Sequence, residues 1–263
     1  MASRIEDELS YYLLSVYYSA KGFFIYRTQA WLWLVNSVLS LLFSLVLVTV
    51  IYSVSSGIAG WSYYQLMFLM YLMSLTFGIA SFLSSPGQLP YALRTGQLDI
   101  FMTRPFSILT ISMSNSRNTM SIVGIVGSIV FLAYASLHMQ LSTPMFAEFL
   151  PLYLLGVAAF VLFLQSMAVL SYKLIKSGSF INQLTSTLST FTNYPLPIFG
   201  GLAQMFFTLL VPIGIAGYYP LEVLLGNVTP AVYVAMIALS AIFIAVFHWT
   251  LNRLMRSYES GGG

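Results

Sequence analysis

Apolar residues fill this chain in runs long enough to cross a bilayer, and polar residues are confined to the gaps between the runs. A crossing helix needs about 20 apolar residues. Six segments approach or reach that length, at residues 31–52, 63–82, 119–137, 149–172, 196–212 and 231–251. The pattern predicts an all-α integral membrane protein of six transmembrane helices. Residues 1–29 form a separate element ahead of the first run. Ser3-Arg-Ile-Glu6 has the form of a capping box, and Asp7 and Glu8 suit a first helical turn. Leu9, Leu13, Val16, Ala20 and Phe24 then recur at helical spacing, while Ser10 and Ser19 face away from them. That is an amphipathic helix lying flat in the membrane interface. Residues 3–28 are acidic at the start and lack the apolar core of a signal peptide, so the helix is expected to be retained. Residues 30–256 make the six-span domain, and 257–263 a disordered tail.

Two places break the pattern. The first is the polar stretch 91–105, in the longest loop between apolar runs, where charge is otherwise scarce: it carries Arg94, Asp99 and Arg104. Pro90 can open a short helix there, Gly96 can close it in a left-handed cap, and residues 97–103 can add a further turn or two before Arg104-Pro105. One or two short helices are thus expected to lie across the membrane surface, where a soluble partner can read them. The second is the fifth run. Pro195, Pro197, Gly200, Gly201, Pro212, Gly214, Gly217, Pro220 and Gly226 are more breakers than one straight helix holds. Residues 214–226 are expected to form a re-entrant hairpin entering from the outer face, since broken backbone at membrane depth must be buried in protein or line a wet cavity. Glu222 is its only acid. Two residues after Pro220, it suits the first turn of a half-helix. Elsewhere in the spans, Asn36, Ser40 and Ser44 share one face, and Ser74/Gly78 and Gly124/Ser128 have the small-xxx-small spacing of close helix packing.

Composition sharpens this picture. Of 263 residues, 59% are hydrophobic and 6% charged, with mean hydropathy +0.86, so no soluble catalytic domain fits. The ten basic residues are Arg4, Lys21, Arg27, Arg94, Arg104, Arg117, Lys173, Lys176, Arg253 and Arg256. With the N-terminus in the cytoplasm all ten fall on the cytoplasmic side, as the positive-inside rule requires, and both termini are cytoplasmic. Basic residues scattered along membrane edges argue against nucleic-acid binding. Cysteine is absent, which removes disulfides, thiolate metal sites and cysteine nucleophiles. His138 and His248 lie near opposite membrane faces, no phosphate-binding loop occurs, and Asp99, Glu148 and Glu222 are isolated in sequence. The spans hold almost no ionisable group with which to couple transport to protons or sodium. Any energy for transport must come from a partner, and the 94–105 loop is the docking surface.

The loop also carries a likeness. Tyr91-x-x-Arg94-x-Gly96-x-Leu98-Asp99 followed by Arg104-Pro105 resembles a signature of the type-2 permeases of ATP-binding cassette (ABC) exporters, most like the daunorubicin- or viologen-exporter-like subgroup, with Met102 where leucine is expected. Tyr194-Pro195 and the stretch from Pro212 through Tyr218-Tyr219-Pro220 to Gly226 are similar to that family's fifth-span region. The resemblance covers the whole chain. It implies a coupling helix between spans two and three, with Arg94, Gly96, Leu98, Asp99, Arg104 and Pro105 against a groove on an ABC ATPase. It also implies an outer gate built from Pro212, Gly217, Tyr219, Pro220, Glu222 and Gly226, and a dimer with a second permease, of the same or another chain. This chain itself then binds no cofactor or metal and is not an enzyme; ATP and Mg belong to the partner ATPase dimer. The expected function is export of a small amphipathic or lipophilic molecule across the plasma (inner) membrane, as in multidrug efflux. A non-transporting anchor or sensor that borrows the ATPase cycle stays open, as does a secondary carrier, against which the empty spans argue.

Overall fold

The computed structural model describes residues 2–25, 27–54, 57, 60–83, 85, 90–92, 95–115, 117–139, 141, 143–175 and 178–256. Helices account for the architecture, with no strand element among the described residues. In chain order they are α1 (Ala2–Ile25), α2 (Arg27–Val54), α3 (Tyr63–Leu83), α4 (Gln97–Met102), α5 (Ile108–Asn115), α6 (Ser121–Leu137), α7 (Thr143–Ile175), α8 (Gly178–Phe191), α9 (Gly201–Leu210), α10 (Gly214–Leu224) and α11 (Pro230–Arg256), with a 3-10 turn at Leu196–Ile198. The last turns of α9 (Phe206–Leu210) and the first of α10 (Gly214–Tyr218) are wound as π-helix.

Among the described residues four helices are long and apolar enough to cross a membrane, namely α2, α3, α7 and α11, and the bent pair α9–α10 makes a fifth if it is one span. The apolar helix α6 has 17 residues, about 25 Å at 1.5 Å per residue, shorter than the roughly 30 Å hydrocarbon core. The expected count of six therefore does not follow from length and composition. The tail 257–263 lies outside the described residues.

The centre of the bundle is α3 and α7, with 56% and 67% of their apolar windows buried, against 11% for α2 and 22% for α11. Since lipid tails are as apolar as leucine, helices in a bilayer gain little from hiding apolar surface from one another, and association rests on close packing and on polar contacts. The structure uses both. Ser128 of α6 donates to Ser74 of α3 (3.0 Å), Tyr71 of α3 stacks on Phe131 of α6 (centroids 4.5 Å apart) and its hydroxyl donates to the Leu41 carbonyl of α2 (2.8 Å). Gly78 lets α3 approach Ile125 of α6, as the small-residue spacing predicted, whereas Gly124 faces open space and takes no part. Asn36 and Ser40 are exposed on α2 and Ser44 half-buried, so that polar face is not used within this chain.

Three boundaries differ from expectation. Helix α7 begins at Thr143 rather than near 149, because Pro144 sits in the first turn, where proline is compatible with a helix, and Pro151 is absorbed inside it. The 178–191 stretch, too polar to read as a span, is the 14-residue helix α8. The segment 196–212 is not one crossing helix: it contains a 3-10 turn and α9, and it ends at a bend of 85° before α10.

Helix α7 meets α10 backbone against backbone. A Cβ on Gly156 would run into the backbone carbonyl of Ile215, and backbone cannot step aside as a side chain can. Gly156→Ala should thus lower the thermal unfolding temperature in detergent, at an overpacking cost of about 1–3 kcal/mol. Gly124→Ala, with nothing within 4 Å of the added methyl, should leave it unchanged.

Candidate functional site

Two sites fall at the places where the apolar pattern breaks. At the first, Thr95 N–H bonds the Tyr91 carbonyl (3.0 Å), Gly96 is left-handed (φ 72°), and α4 follows directly. Only glycine takes that φ without strain, so Gly96 is what lets two helical pieces meet at an angle. Asp99 N–H donates to the Gly96 carbonyl (3.1 Å), which places Asp99 in the first turn of α4, where a carboxylate faces the unpaired amides. Leu98 belongs to α4 as well. Ile100 and Met102 are exposed and Phe101 is buried, so this short helix shows an apolar and acidic surface outward. Arg104 and Pro105 are exposed in the turn that follows, and Arg94 lies outside the described residues.

What the sequence reading missed is that α1 is clamped to this loop. Ser107 caps α5, its hydroxyl accepting from Thr110 N–H (3.2 Å), and the carboxylate of Glu8 on α1 accepts from Ser107 N–H (3.2 Å), the Ser107 hydroxyl (2.9 Å) and the Thr110 hydroxyl (2.8 Å). An acid at the start of α5 also meets the positive end of that helix. Alongside it, Arg104 donates to the Tyr11 hydroxyl (2.8 Å), Tyr11 stacks on Phe106 (4.4 Å), and the Arg117 guanidinium lies over the Tyr12 ring (4.5 Å). Asp7, Ser10, Tyr11 and Leu14 of α1 with Pro105 and Phe106 enclose a cavity of about 460 Å³. The one available signal was Ser107-x-x-Thr110, two residues after Pro105, a cap that names no partner. The amphipathic α1 is present, but Val16 and Ala20 of its apolar stripe are half-buried and Ser19 turns inward to Arg117 (3.5 Å), since one side of the helix packs on α5.

The second site is the broken segment. Pro220 carries no N–H, so the carbonyl of Ala216 four residues earlier has no α-helical partner. The Thr76 hydroxyl of α3 reaches it at 3.4 Å, while also lying 2.9 Å from the Leu72 carbonyl and 3.1 Å from the Tyr153 hydroxyl of α7. Three helices are thereby tied at one buried polar point. Gly217 is buried against the Met73 side chain of α3, which any side chain at 217 would have to displace. Pro212 is buried at the bend, where Ile213 N–H closes a tight turn on the Val211 carbonyl (2.7 Å). At the far end, Asn227 N–H bonds the Glu222 carbonyl (3.0 Å) and Gly226 N–H the Val223 carbonyl (3.0 Å), with Gly226 left-handed at φ 74°. These bonds are a Schellman cap, so α10 ends there.

The geometry corrects two expectations. Residues 214–224 are one helical rod, not a hairpin; the sharp bend, of 85°, lies between α9 and α10 at Pro212. Glu222 lies in the first turn of the α-helical stretch Tyr219–Leu224, as expected, but no separate half-helix starts there, because π-wound turns run into it from Gly214; its side chain interacts with Tyr218. Tyr218 and Tyr219 are half-buried, and Tyr218 stacks on Trp61 (5.7 Å). No group of three or more His, Cys, Asp or Glu side chains suited to a metal occurs among the described residues.

A family model described as an ABC-2 family transporter protein matches residues 38–262 of the chain. No curated protein and no solved structure matches it.

Removing the hydroxyl that holds the broken helix tests the buried node. Thr76→Val keeps the shape and should cost about 0.5–2 kcal/mol of stability in detergent. Combined with Tyr153→Phe, the loss should fall short of the sum of the single losses, because both changes break the same contact.

Proposed function

The chain belongs to the ABC-2 family of transporter proteins, and from that premise we infer that it is the permease half of an ABC exporter of the daunorubicin- or viologen-exporter-like kind. Membership makes it a multi-pass transport subunit that is not itself the ATPase and that works with one. In the proposed assembly, α2, α3, α6, α7, an interrupted fifth crossing and α11 span the plasma (inner) membrane with both termini in the cytoplasm. Two permeases, identical or different, enclose the path. A separate ATPase dimer holds ATP and Mg and docks on the α1–α4–α5 surface, and the substrate is small and amphipathic or lipophilic.

The observation that carries a transport path is the polar face of α8. Ile181 and Leu188 are buried, with Leu184 half-buried between them, while Asn182, Gln183, Ser186, Thr187 and Thr190 on the opposite face are exposed. Exposed amides and hydroxyls on a helix that climbs from the Lys173 end of α7 to the level of Met73, midway along α3, are costly against lipid. Facing a wet path shared with a second permease removes that cost, and the exposed Asn36–Ser40 face of α2 has the same need. Against this path the α9–α10 bend and its Thr76 node serve as the outer closure.

Docking is supported by the Glu8 clamp, which fixes the loop to α1 so that a push on α4 moves a larger body than one short helix. Reversing charge with Asp99→Lys should leave membrane expression intact and reduce co-purification with the cognate ATPase and substrate-stimulated ATP hydrolysis. Normal ATPase association and transport in that variant would remove α4 as the coupling element. An anchor or sensor would instead keep ATPase association and move no substrate in vesicles. Orientation has its own test: a cysteine at Asn227 should react with an impermeant thiol reagent applied outside intact cells, and one at Ser85 should not.

A further inference from the structure

At the end of the bundle opposite the α4 surface, the start of α3, the end of α6, the start of α7 and the end of α10 surround a cavity of about 470 Å³. The groups on its wall that bear lone pairs are Ser62, Gln65, His138, Met139, Met145 and Asn227. Two of these are already spent: Gln65 accepts from Ser62 N–H through its side-chain oxygen (2.8 Å), and Ser62 accepts from Gln65 N–H through its hydroxyl (3.4 Å), a reciprocal cap on α3. His138 is differently placed. Its Nδ1 lies 2.9 Å from the Tyr134 carbonyl oxygen, which can only accept, so Nδ1 holds the proton and in the neutral ring Nε2 keeps its lone pair. The ring is stacked on Tyr64 (4.6 Å, 16°) and braced by Tyr134 (4.6 Å), which fixes its orientation. A ring nitrogen tied to a backbone carbonyl is the usual support of a metal-ligating histidine.

Two thioethers from different elements line the same cavity. Met139 follows His138 directly, and Met145 comes from the first turn of α7. A side chain at Gly226 would crowd the Met145 methyl (2.8 Å) and sulfur (3.2 Å), so the left-handed glycine also leaves Met145 its room. Among the described residues no carboxylate and no thiolate lines the cavity. Hard cations such as Ca²⁺ and Mg²⁺ require oxygen ligands, whereas thioether and imidazole donors suit Cu(I). We propose that His138 Nε2 and the sulfurs of Met139 and Met145 form a three-donor site for a soft monovalent cation, Cu(I), at this mouth. The three donors are neutral, so the bound ion keeps its positive charge and stays exchangeable at an open cavity. The site stands independently of the transport reading, because binding is a property of the isolated chain.

The test uses the full-length chain purified in detergent, loaded with Ag(I) as a redox-inert stand-in or with Cu(I) under reductant, then desalted and assayed for metal per protein. One ion per chain is expected. Retention should be lost in His138→Gln and in the shape-conserving Met139→Leu/Met145→Leu double variant, each checked for an unchanged gel-filtration profile, and kept in Met205→Leu, whose thioether is exposed elsewhere. X-ray absorption of the wild-type complex should show both sulfur and nitrogen neighbours. Equal retention by wild type and both site variants would mean adventitious metal only, and it would overturn the proposal, as would no retention by wild type.

Discussion

A proline's missing hydrogen shapes the middle of this protein. Pro220 leaves the carbonyl of the fully buried Ala216 without its α-helical donor, and an unpaired buried carbonyl costs a few kcal/mol. The Thr76 hydroxyl of α3 shares its one proton between the Leu72 carbonyl (2.9 Å) and the Ala216 carbonyl (3.4 Å), which it can do only because α3 lies against the π-wound start of α10. Gly217 against Met73 and Gly156 against Ile215 are the spatial terms of that requirement, since a side chain at 217 would have to displace Met73 and one at 156 would run into the Ile215 backbone. Tyr153 then joins the same hydroxyl from α7. The bent α9–α10 segment is therefore irregular and yet held from both α3 and α7.

The distribution of burial follows from the same constraint. Helices α3 and α7 touch the broken segment and are the most buried, while α2, α8, α9 and α11 keep broad exposed faces. Their exposed surfaces differ in kind. Leu202, Met205, Phe206, Leu209 and Leu210 on α9 are apolar and suit lipid or a partner, whereas the outward face of α8 is built of amides and hydroxyls. Many of the α8 hydroxyls fold back on their own helix, Thr185 to the Ile181 carbonyl (2.8 Å) and Ser189 to the Ser186 carbonyl (2.7 Å), which lowers but does not remove the cost of meeting hydrocarbon.

Runs of apolar residues made α2, α3, α7 and α11 legible, because length and hydropathy alone decide a crossing. Gly96 was legible too, since a glycine between two short helical stretches has one economical use, and its φ of 72° is that use. The α8 helix was not, because eight or more hydroxyls and amides in sequence read as a loop unless a second subunit or a wet path is assumed. The hairpin was misplaced by reading each breaker locally. Pro220 did not end a helix, because a π-turn before it and a borrowed hydroxyl let the rod continue, and the real bend fell at Pro212. The Glu8 clamp joins residues about a hundred apart in sequence, and no periodicity reports such a contact.

Helix α3 connects everything that is functionally suggestive here. Its first turn lines the His138 cavity through Ser62 and Gln65, its middle carries Met73 and Thr76 at the broken segment, and its last turn bonds Asn118 through the Ser81 carbonyl (3.1 Å) while Phe82 meets Arg117, which lies over Tyr12 of α1. A 21-residue helix packed on two sides bends little, so a displacement of the α1–α5 surface at one end becomes tilt or rotation of α3. Such a tilt moves the Thr76 hydroxyl relative to the Ala216 carbonyl, and a contact already at 3.4 Å has little length to spare before it ceases to be a hydrogen bond. The same rod that reaches the broken helix through Thr76 thus also reaches the α1–α5 surface through Ser81 and Phe82.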